Sequence, residues 1–155
     1  MGTRARSRSG EPLTRRELAA WQGLLRVSFR LRRELEAALT RDHGLSMADY
    51  DVLVRLADDP DRGLRMSDLA DAVLQPRSSL TRIVGGLEAR GLARREPAEA
   101  DARGARAVLT PAGSAAFRRA QVAHLDNVRR LFLDRLTVAQ LDQLAAAWEA
   151  IDARG

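Results

Sequence analysis

The chain has 155 residues, of which 45% are hydrophobic and 30% charged, with a formal net charge of +5 and no cysteine. This composition is typical of a soluble globular protein long enough to bury a core. Without cysteine, disulfides, thiolate catalysis and thiol-based redox sensing are excluded. No apolar run approaches the roughly 20 residues of a membrane span, and no apolar signal segment is present. We therefore expect a cytoplasmic protein that does not enter a membrane.

All 26 residues counted as lysine or arginine are arginines. Arginine matches phosphate groups and guanine edges with two parallel hydrogen bonds, so this bias suits a nucleic-acid partner. Codon bias in a GC-rich genome produces the same replacement and accounts for most of it. Residues 1–10 are basic and rich in serine and glycine, which predicts a disordered arm. The sequence leaves open whether this arm contacts DNA or is a frayed terminus.

The first predicted helix begins at Thr14, because Thr14 and Glu17 have the spacing of a capping box. It should run to about Thr40 with one apolar stripe, and such a terminal helix commonly packs against another chain. The stripe comprises Leu18, Trp21, Leu24, Leu25, Leu31, Leu35 and Ala38. A second helix is predicted from Ser46 to Ala57, where Asp58-Asp59-Pro60 ends it.

A short third helix, with Ser67 as its N-cap, is predicted to follow an extended piece at 64–66. After a break at Gln75-Pro76, a fourth helix should run from Arg77 to Arg90, with Gly91 at its C′ position. Residues 92–96 and 105–109 read as the two strands of a hairpin. This order of parts is typical of a winged helix-turn-helix, and the predicted fold is mainly α with a small β-hairpin.

The C-terminal part is predicted to form two more helices. Thr110-Pro111 gives an N-cap followed by proline at the first helical position, and this fifth helix should reach about Asp134. Thr137 and Gln140 form a second capping box, which begins a sixth helix. The apolar stripe of the sixth helix comprises Leu141, Leu144, Ala145, Trp148 and Ile151.

The polar face of the fourth helix is the candidate DNA-binding surface. Short hydroxyl side chains at a helix N-terminus let backbone amides approach phosphate, and arginines there reach base edges. Such a face is usually only solvated, but its place between a short helix and a hairpin favours contact with DNA. The predicted contacts are Pro76, Arg77, Ser78, Ser79, Thr81 and Arg82 in the helix, and Arg103 and Arg106 in the hairpin.

The hairpin is not simply a basic clamp, because acidic residues accompany its arginines. Arg94 and Arg95 lie on the outgoing strand, and a hairpin arginine can enter a narrow minor groove. The acidic residues are predicted to orient these arginines or to keep the tip extended. They are Glu96, Glu99 and Asp101.

Over residues 11–153 the chain resembles the MarR family (multiple antibiotic resistance regulators). The resemblance rests on SMADYDVLVRLADDP, LRMSDLADAVL, RSSLTRIVGGLEARGLARRE and the pattern Asp101-x-Arg103-Gly104 leading to VLTPAG. It implies an obligate homodimer, with 11–45 and 111–155 as dimerisation helices and 46–110 as the DNA-binding lobe. It further implies a regulator, most often a repressor, that binds a pseudo-palindromic operator in double-stranded DNA and is released by a small aromatic or phenolic ligand.

One position departs from the family pattern. Many relatives carry an aspartate that pairs with the wing arginine, whereas this chain has Gly85 followed by Gly86. We therefore expect a more mobile wing, in which Arg103 pairs with Asp101 or with a DNA phosphate.

By position in the family, the candidate ligand-binding residues are Trp21, Arg26, His43 and Tyr50. For Trp21, a place in the dimer core is favoured over ligand binding, and a residue such as His43 more often lies at the protein surface than binds a ligand. No cofactor is predicted, two distant histidines make a poor metal site, and no catalytic motif is present. A low-specificity nucleoid-type binder, an effector-independent regulator, an interaction module and, most remotely, an enzyme stay open. The operator, the effector and the sign of regulation cannot be read from the sequence.

Overall fold

A computed structural model describes residues 10–60, 62–98 and 101–153, without the side chains of 98 and 101–103. The predicted N-terminal arm, residues 1–10, therefore lies outside the described residues except for Gly10. The chain divides into two units, Met1–Arg33 and Glu34–Gly155. The second unit contains the sheet, most of the helices and the buried core.

Helix α1 spans Arg15–His43 and begins at the predicted capping box. The Thr14 amide donates to the Glu17 carboxylate at 2.7 Å, and the Glu17 amide donates to the Thr14 hydroxyl at 3.3 Å. The helix runs three residues beyond the predicted end at Thr40. It ends where Gly44 takes a left-handed φ of 64°, the C-terminal signal that glycine supplies most readily.

Helix α2 spans Met47–Ala57 and begins after Ser46, as predicted, with a capping box at its start. The Asp49 amide donates to the Ser46 hydroxyl, and the Ser46 amide donates to the Asp49 carboxylate, each at 3.0 Å. In addition, the Met47 amide donates to Glu36 of α1 at 2.8 Å. These carboxylates satisfy amides at the start of α2 that have no partner within the helix.

Strand β1 (Leu64–Arg65) runs directly into α3 (Met66–Ala72). The predicted N-cap at Ser67 is wrong, because Arg65 is the N-cap and makes no side-chain cap hydrogen bond. Ser67 lies one residue inside the helix, where its hydroxyl donates to Asp68. A serine inside the first turn cannot supply the extended N-cap backbone, which Arg65 adopts as the end of the strand.

Helix α4 spans Arg77–Ala89, with Pro76 as N-cap and Arg90 as C-cap. Its end agrees with the prediction, since Gly91 takes a φ of 68° at the C′ position. Strands β2 (Ala93–Ala98) and β3 (Asp101–Leu109) then pair antiparallel, and both are longer than predicted. We call β2 and β3 the wing.

The sheet has three strands in the order β1-β3-β2, so the wing is not an isolated hairpin. Leu64 pairs with Ala107 and Arg65 with Arg106. Gly63 makes this pairing possible, because a Cβ there would collide with the Ala107 carbonyl and its φ is 63°. Strand β1 agrees with the extended piece predicted at 64–66, whereas its pairing with β3 was not predicted.

Helix α5 spans Pro111–Leu131, begins at the predicted Thr110 cap, and is followed by a short 3-10 helix at Leu133–Arg135. The predicted continuous helix to Asp134 is therefore wrong at its end, because the chain leaves α geometry at Phe132, whose φ is −132°. Helix α6 spans Val138–Asp152 from the predicted capping box.

The core of the second unit lies between α2, α4, the sheet and α5. Gly113 in the first turn of α5 lets this helix approach the wing, because a Cβ there would collide with the Leu92 carbonyl. The most deeply buried large side chains include Leu39, Leu45, Val52, Leu53, Leu56, Leu69, Leu80, Val84, Leu87 and Val108.

Candidate nucleic-acid interface

Helix α4 has a buried side and an exposed polar side. Leu80, Val84 and Leu87 are at most 1% exposed and fix the helix to the core. The opposite side carries the predicted contacts, which the structure brings together on one surface. Pro76, Arg77, Ser78, Thr81 and Arg82 are exposed, and Ser79 is half-buried. The Thr81 hydroxyl donates to the Arg77 carbonyl one turn earlier in the helix, at 2.9 Å.

The turn between α3 and α4 has a strained leucine. The Gln75 amide donates to the Ala70 carbonyl at 3.0 Å and the Leu74 amide to the Asp71 carbonyl at 3.3 Å, which is the Schellman pattern of hydrogen bonds. Leu74 occupies the left-handed position usually held by glycine, with a φ of 52°, and its side chain is 90% exposed. This turn sets the direction in which the chain enters α4.

Two clefts flank the polar side of α4. One, of about 370 Å³, separates α4 from β1 and the wing, and is lined by Arg65, Met66, Ser67, Arg77, Thr81, Gly104 and Ala105. The other, of about 650 Å³, lies beside α2 and is lined by Ser46, Ala48, Asp49, Gln75, Ser79, Arg82, Ile83, Gly86 and Arg90. Arg65 and Arg77 form no ion pair with any carboxylate in the described residues, so both charges are available to an anion.

Arg90 ties the end of α4 to the start of α2, a role that sequence reasoning missed. Its guanidinium donates to the Gly44 carbonyl at 2.7 Å and lies 3.0 Å from the Asp49 carboxylate. The Gly44 and Arg90 positions are 46 residues apart, so no local pattern signals this contact. The bonds hold one wall of the larger cleft in place.

Wing arginines near the base of β2 are paired with carboxylates. Arg94 contacts Glu96 at 2.6 Å, which agrees with the predicted orienting role of Glu96. Arg95 binds Glu88 of α4, a contact that the sequence did not suggest. The hydrogen bonds to Arg95 hold the pKa of Glu88 below its usual value, so the carboxylate is charged at neutral pH.

The two wing arginines predicted to contact DNA are Arg103 and Arg106. Arg106 is half-buried, opposite Glu96 in the sheet, and its Nε has no hydrogen-bond partner among the described residues. The side chains of Arg103 and Asp101, and all of Glu99, lie outside the described residues. The expected partner of Arg103 and the mobility of the wing therefore stay predictions.

The candidate ligand-binding residues fall in both units. Trp21 is 52% exposed and Arg26 lines a shallow depression on α1, within the first unit. His43 is half-buried at the end of α1, in the second unit. Tyr50 is only 6% exposed, so it reaches a ligand only if its neighbours move.

Tyr50 packs against aromatic side chains of α5. Its ring centroid lies 5.9 Å from that of Phe117 and 4.5 Å from that of His124. Burial raises the pKa of Tyr50 and lowers the pKa of His124, so both are neutral near pH 7. His124 is thus a packing residue of α5.

Two kinds of site are not found in the part of the chain that the structure describes. No group of three or more histidine, aspartate or glutamate side chains is placed to hold a metal ion. No helix there is long and apolar enough to cross a membrane.

Comparison with known proteins shows the family. The model of the MarR family matches residues 43–104, which include α2, α3, α4 and β2. AbsC, a MarR family transcriptional regulator from Streptomyces coelicolor, is 38% identical with a TM-score of 0.86, over 93% of this chain and 97% of AbsC. The chain belongs to the MarR family.

Two further solved structures are similar to this chain. Sco3205 from Streptomyces coelicolor, solved in complex with DNA, is 36% identical with a TM-score of 0.85, over 92% of this chain and 89% of Sco3205. CouR from Rhodococcus jostii RHA1, solved with p-coumaroyl-CoA, is 22% identical with a TM-score of 0.72, over 85% of this chain and 90% of CouR. No curated protein matches the chain significantly. The predicted winged helix-turn-helix and the family are thus confirmed.

Proposed function

We propose that this MarR-family regulator binds a specific pseudo-palindromic operator in double-stranded DNA as a homodimer, and that a small aromatic or phenolic ligand releases it. The observation that carries the proposal is the exposed polar side of α4, which projects from a well-packed helix beside the wing. A helix fits the major groove, where each base pair presents a distinct pattern of donors and acceptors. That Sco3205 has been solved with DNA supports the same role here.

In this proposal the residues divide the work between base and backbone contacts. Arg77 and Arg82 reach guanine edges, while Ser78, Ser79 and Thr81 bring the start of α4 close to phosphate. In the wing, Arg103 and Arg106 contact the phosphate backbone or a narrow minor groove. Arg65, which sequence reasoning did not select, adds a positive charge to the cleft between α4 and the wing.

Apolar side chains exposed in each unit support the homodimer. Monomeric proteins rarely leave large apolar surfaces in water, and such surfaces commonly mark interfaces. In the first unit the exposed ones are Leu13, Leu18, Trp21, Leu24, Leu25 and Phe29 on and before α1. In the second unit they are Val122, Leu125, Val138, Trp148 and Ile151 on α5 and α6, and Leu74. We infer that residues 11–45 and 111–155 pair with the same helices of a second copy.

A small aromatic ligand is the proposed signal for release from DNA. CouR has been solved with p-coumaroyl-CoA, a phenolic thioester. This supports an aromatic effector for the present chain. Trp21, Arg26 and His43 provide stacking and anion-binding groups, and Tyr50 becomes accessible on rearrangement. A series of hydroxybenzoates, tested for release of operator DNA by fluorescence polarisation, examines this directly. No release by any of them, with DNA binding intact, would favour an effector-independent regulator.

DNA binding is tested by comparing two duplexes at one fixed salt concentration. One carries the DNA that flanks the protein's own gene, and the other has a random sequence of equal length. We expect at least a roughly 1,000-fold preference for the flanking DNA. Equal affinities would instead indicate the low-specificity binder, because contacts with phosphate alone do not depend on sequence.

A further inference from the structure

One carboxylate of α4 holds both the backbone and the side chain of one wing residue. Glu88 Oε1 accepts the Arg95 backbone amide at 2.7 Å, and Glu88 Oε2 accepts Arg95 Nε at 2.7 Å. Arg95 Nη2 also contacts Oε2. Hydrogen bonds between charged groups are short and about twice as strong as neutral ones. A pair that also fixes a strand amide restrains the backbone as well as the side chain.

The guanidinium of Arg95 lies over Gly85. A Cβ built on Gly85 would lie 3.7 Å from Arg95 Nη2, which is ordinary van der Waals contact. In this chain the wing arginine above that position is Arg95, and its carboxylate partner comes from Glu88, one helical turn further along α4.

No other side-chain hydrogen bond joins α4 to a wing strand among the described residues. Arg94, the neighbour of Arg95 on β2, pairs with Glu96 on the same strand and does not bridge to the helix. Arg95 lies opposite the buried Ala107 of β3, so a restraint on Arg95 passes to both wing strands. The side chains of Glu88 and Arg95 are 27% and 38% exposed, which shields the pair only partly from solvent.

We propose that Glu88 and Arg95 form a clamp that positions the wing relative to α4, and so sets the separation between base contacts of the helix and backbone contacts of the wing. Arg95 acts here as a positioning residue, because its Nε and Nη2 are occupied by Glu88. The inference rests on the proposed DNA binding, but the clamp itself exists without DNA.

A double-mutant cycle with Glu88→Ala and Arg95→Ala tests the clamp. Hydrogen exchange of the amides at 93–96 and 98, measured without DNA, should accelerate in either single variant. The double variant should exchange no faster than Glu88→Ala, because the residue 95 amide can still donate to Glu88 in Arg95→Ala. The preference for operator over random DNA should fall about 3- to 30-fold in each single variant, with no additional loss in the double. Arg94→Ala is the matched control, because it removes the same charge from the adjacent residue. It should leave the Glu88–Arg95 contact intact and reduce the operator preference less than Arg95→Ala does.

Three outcomes would overturn the clamp. Unchanged exchange at 93–96 and 98 in Glu88→Ala would show that it does not hold the wing. Additive losses, with a salt dependence reduced by one phosphate contact in Arg95→Ala, would make Arg95 a direct DNA contact. If Arg94→Ala lowered the unfolding midpoint and the operator preference as much as the clamp variants do, the loss of binding would be due to lower stability. A wild-type protein without operator preference contradicts the proposed function, whereas the exchange measurement judges the clamp independently.

Discussion

At the scale of single residues, Arg82 is the residue whose replacement should most affect base recognition. It is exposed on the polar side of α4, one turn beyond the N-terminal hydroxyl residues. We expect Arg82→Ala to weaken operator binding by about 1–3 kcal/mol and to relax the preference at one base position in each half-site. Titrations with operators substituted one base pair at a time measure this. Arg118→Ala on α5 removes the same charge, and an equal effect there would reduce Arg82 to a general electrostatic contribution.

The backbone strain at Leu74 should lower the free energy of unfolding. Its left-handed backbone is unfavourable for a residue with a Cβ, and its side chain buries almost nothing in return. Replacement by glycine removes that penalty, which exceeds the additional entropy that glycine loses on folding. Leu74→Gly should therefore raise the unfolding free energy by about 0.5–1 kcal/mol. Urea unfolding at one protein concentration measures the change. Leu74→Ala keeps the strain, so an equal gain with alanine would contradict this origin.

His124 should make stability depend on pH. Burial lowers its pKa in the folded state below the unfolded value of about 6.5, so the unfolded chain binds the proton more readily. Stability should therefore fall as pH decreases below about 6.5, until the pH passes the folded-state pKa. Above pH 6.5, His124 should not make stability depend on pH. His124→Phe keeps a ring against Tyr50 and cannot titrate. Parallel stability curves for the two proteins between pH 7.5 and 5.5 would exclude His124 as the source.

Residue positions were predictable from sequence where the signal is local. The exposed side of α4 followed from helical spacing, because Leu80, Val84 and Leu87 define its buried side. The partners of Arg90 and Arg95 were not predictable, since Gly44 lies 46 residues from Arg90 and the Glu88–Arg95 pair joins a helix to a strand. Such contacts depend on how elements pack, which periodicity does not encode.

At the scale of elements, α4 contains two adjacent glycines that weaken it. Each mid-helix glycine costs about 1 kcal/mol relative to alanine, and a Cβ at Gly85 or Gly86 meets no obstacle. Gly85→Ala and Gly86→Ala should each raise the unfolding free energy by about this amount. Denaturant unfolding of the two variants measures it, and a loss of stability in either would show that the helix needs the glycine for another reason.

The boundaries of elements were predictable where a cap or a left-handed glycine marks them. The starts of α1, α2, α5 and α6 coincide with predicted caps, because those hydrogen bonds lie within four residues of one another. The predicted start of α3 was wrong because the N-cap is Arg65, the last residue of β1, and not Ser67. The extended piece at β1 was predicted, but its pairing with β3 depends on tertiary structure. The early end of α5 comes from a local change at Phe132 that no cap marks.

At the scale of the whole molecule, the exposed apolar side chains predict a stable homodimer. Leu24 and Trp148 are 39% and 40% exposed, while Leu31 and Leu141 are half-buried in the single chain. We expect sedimentation at micromolar concentration to give twice the 17.1 kDa mass of one chain. Replacing Trp21 and Trp148 together by glutamate should shift the distribution towards the monomer. A monomeric wild-type protein at that concentration would contradict the interface.

The central claim is that two copies of α4 read two half-sites held at a fixed separation. In a two-fold dimer the half-sites lie about one helical turn, roughly 10 base pairs, apart. Inserting five base pairs between them turns one half-site to the opposite face of the duplex, while its sequence stays intact. We predict that this insertion lowers affinity towards that for random DNA, a loss on the order of 1,000-fold or more. Unchanged affinity after the insertion would show that the protein does not read paired half-sites as a rigid dimer.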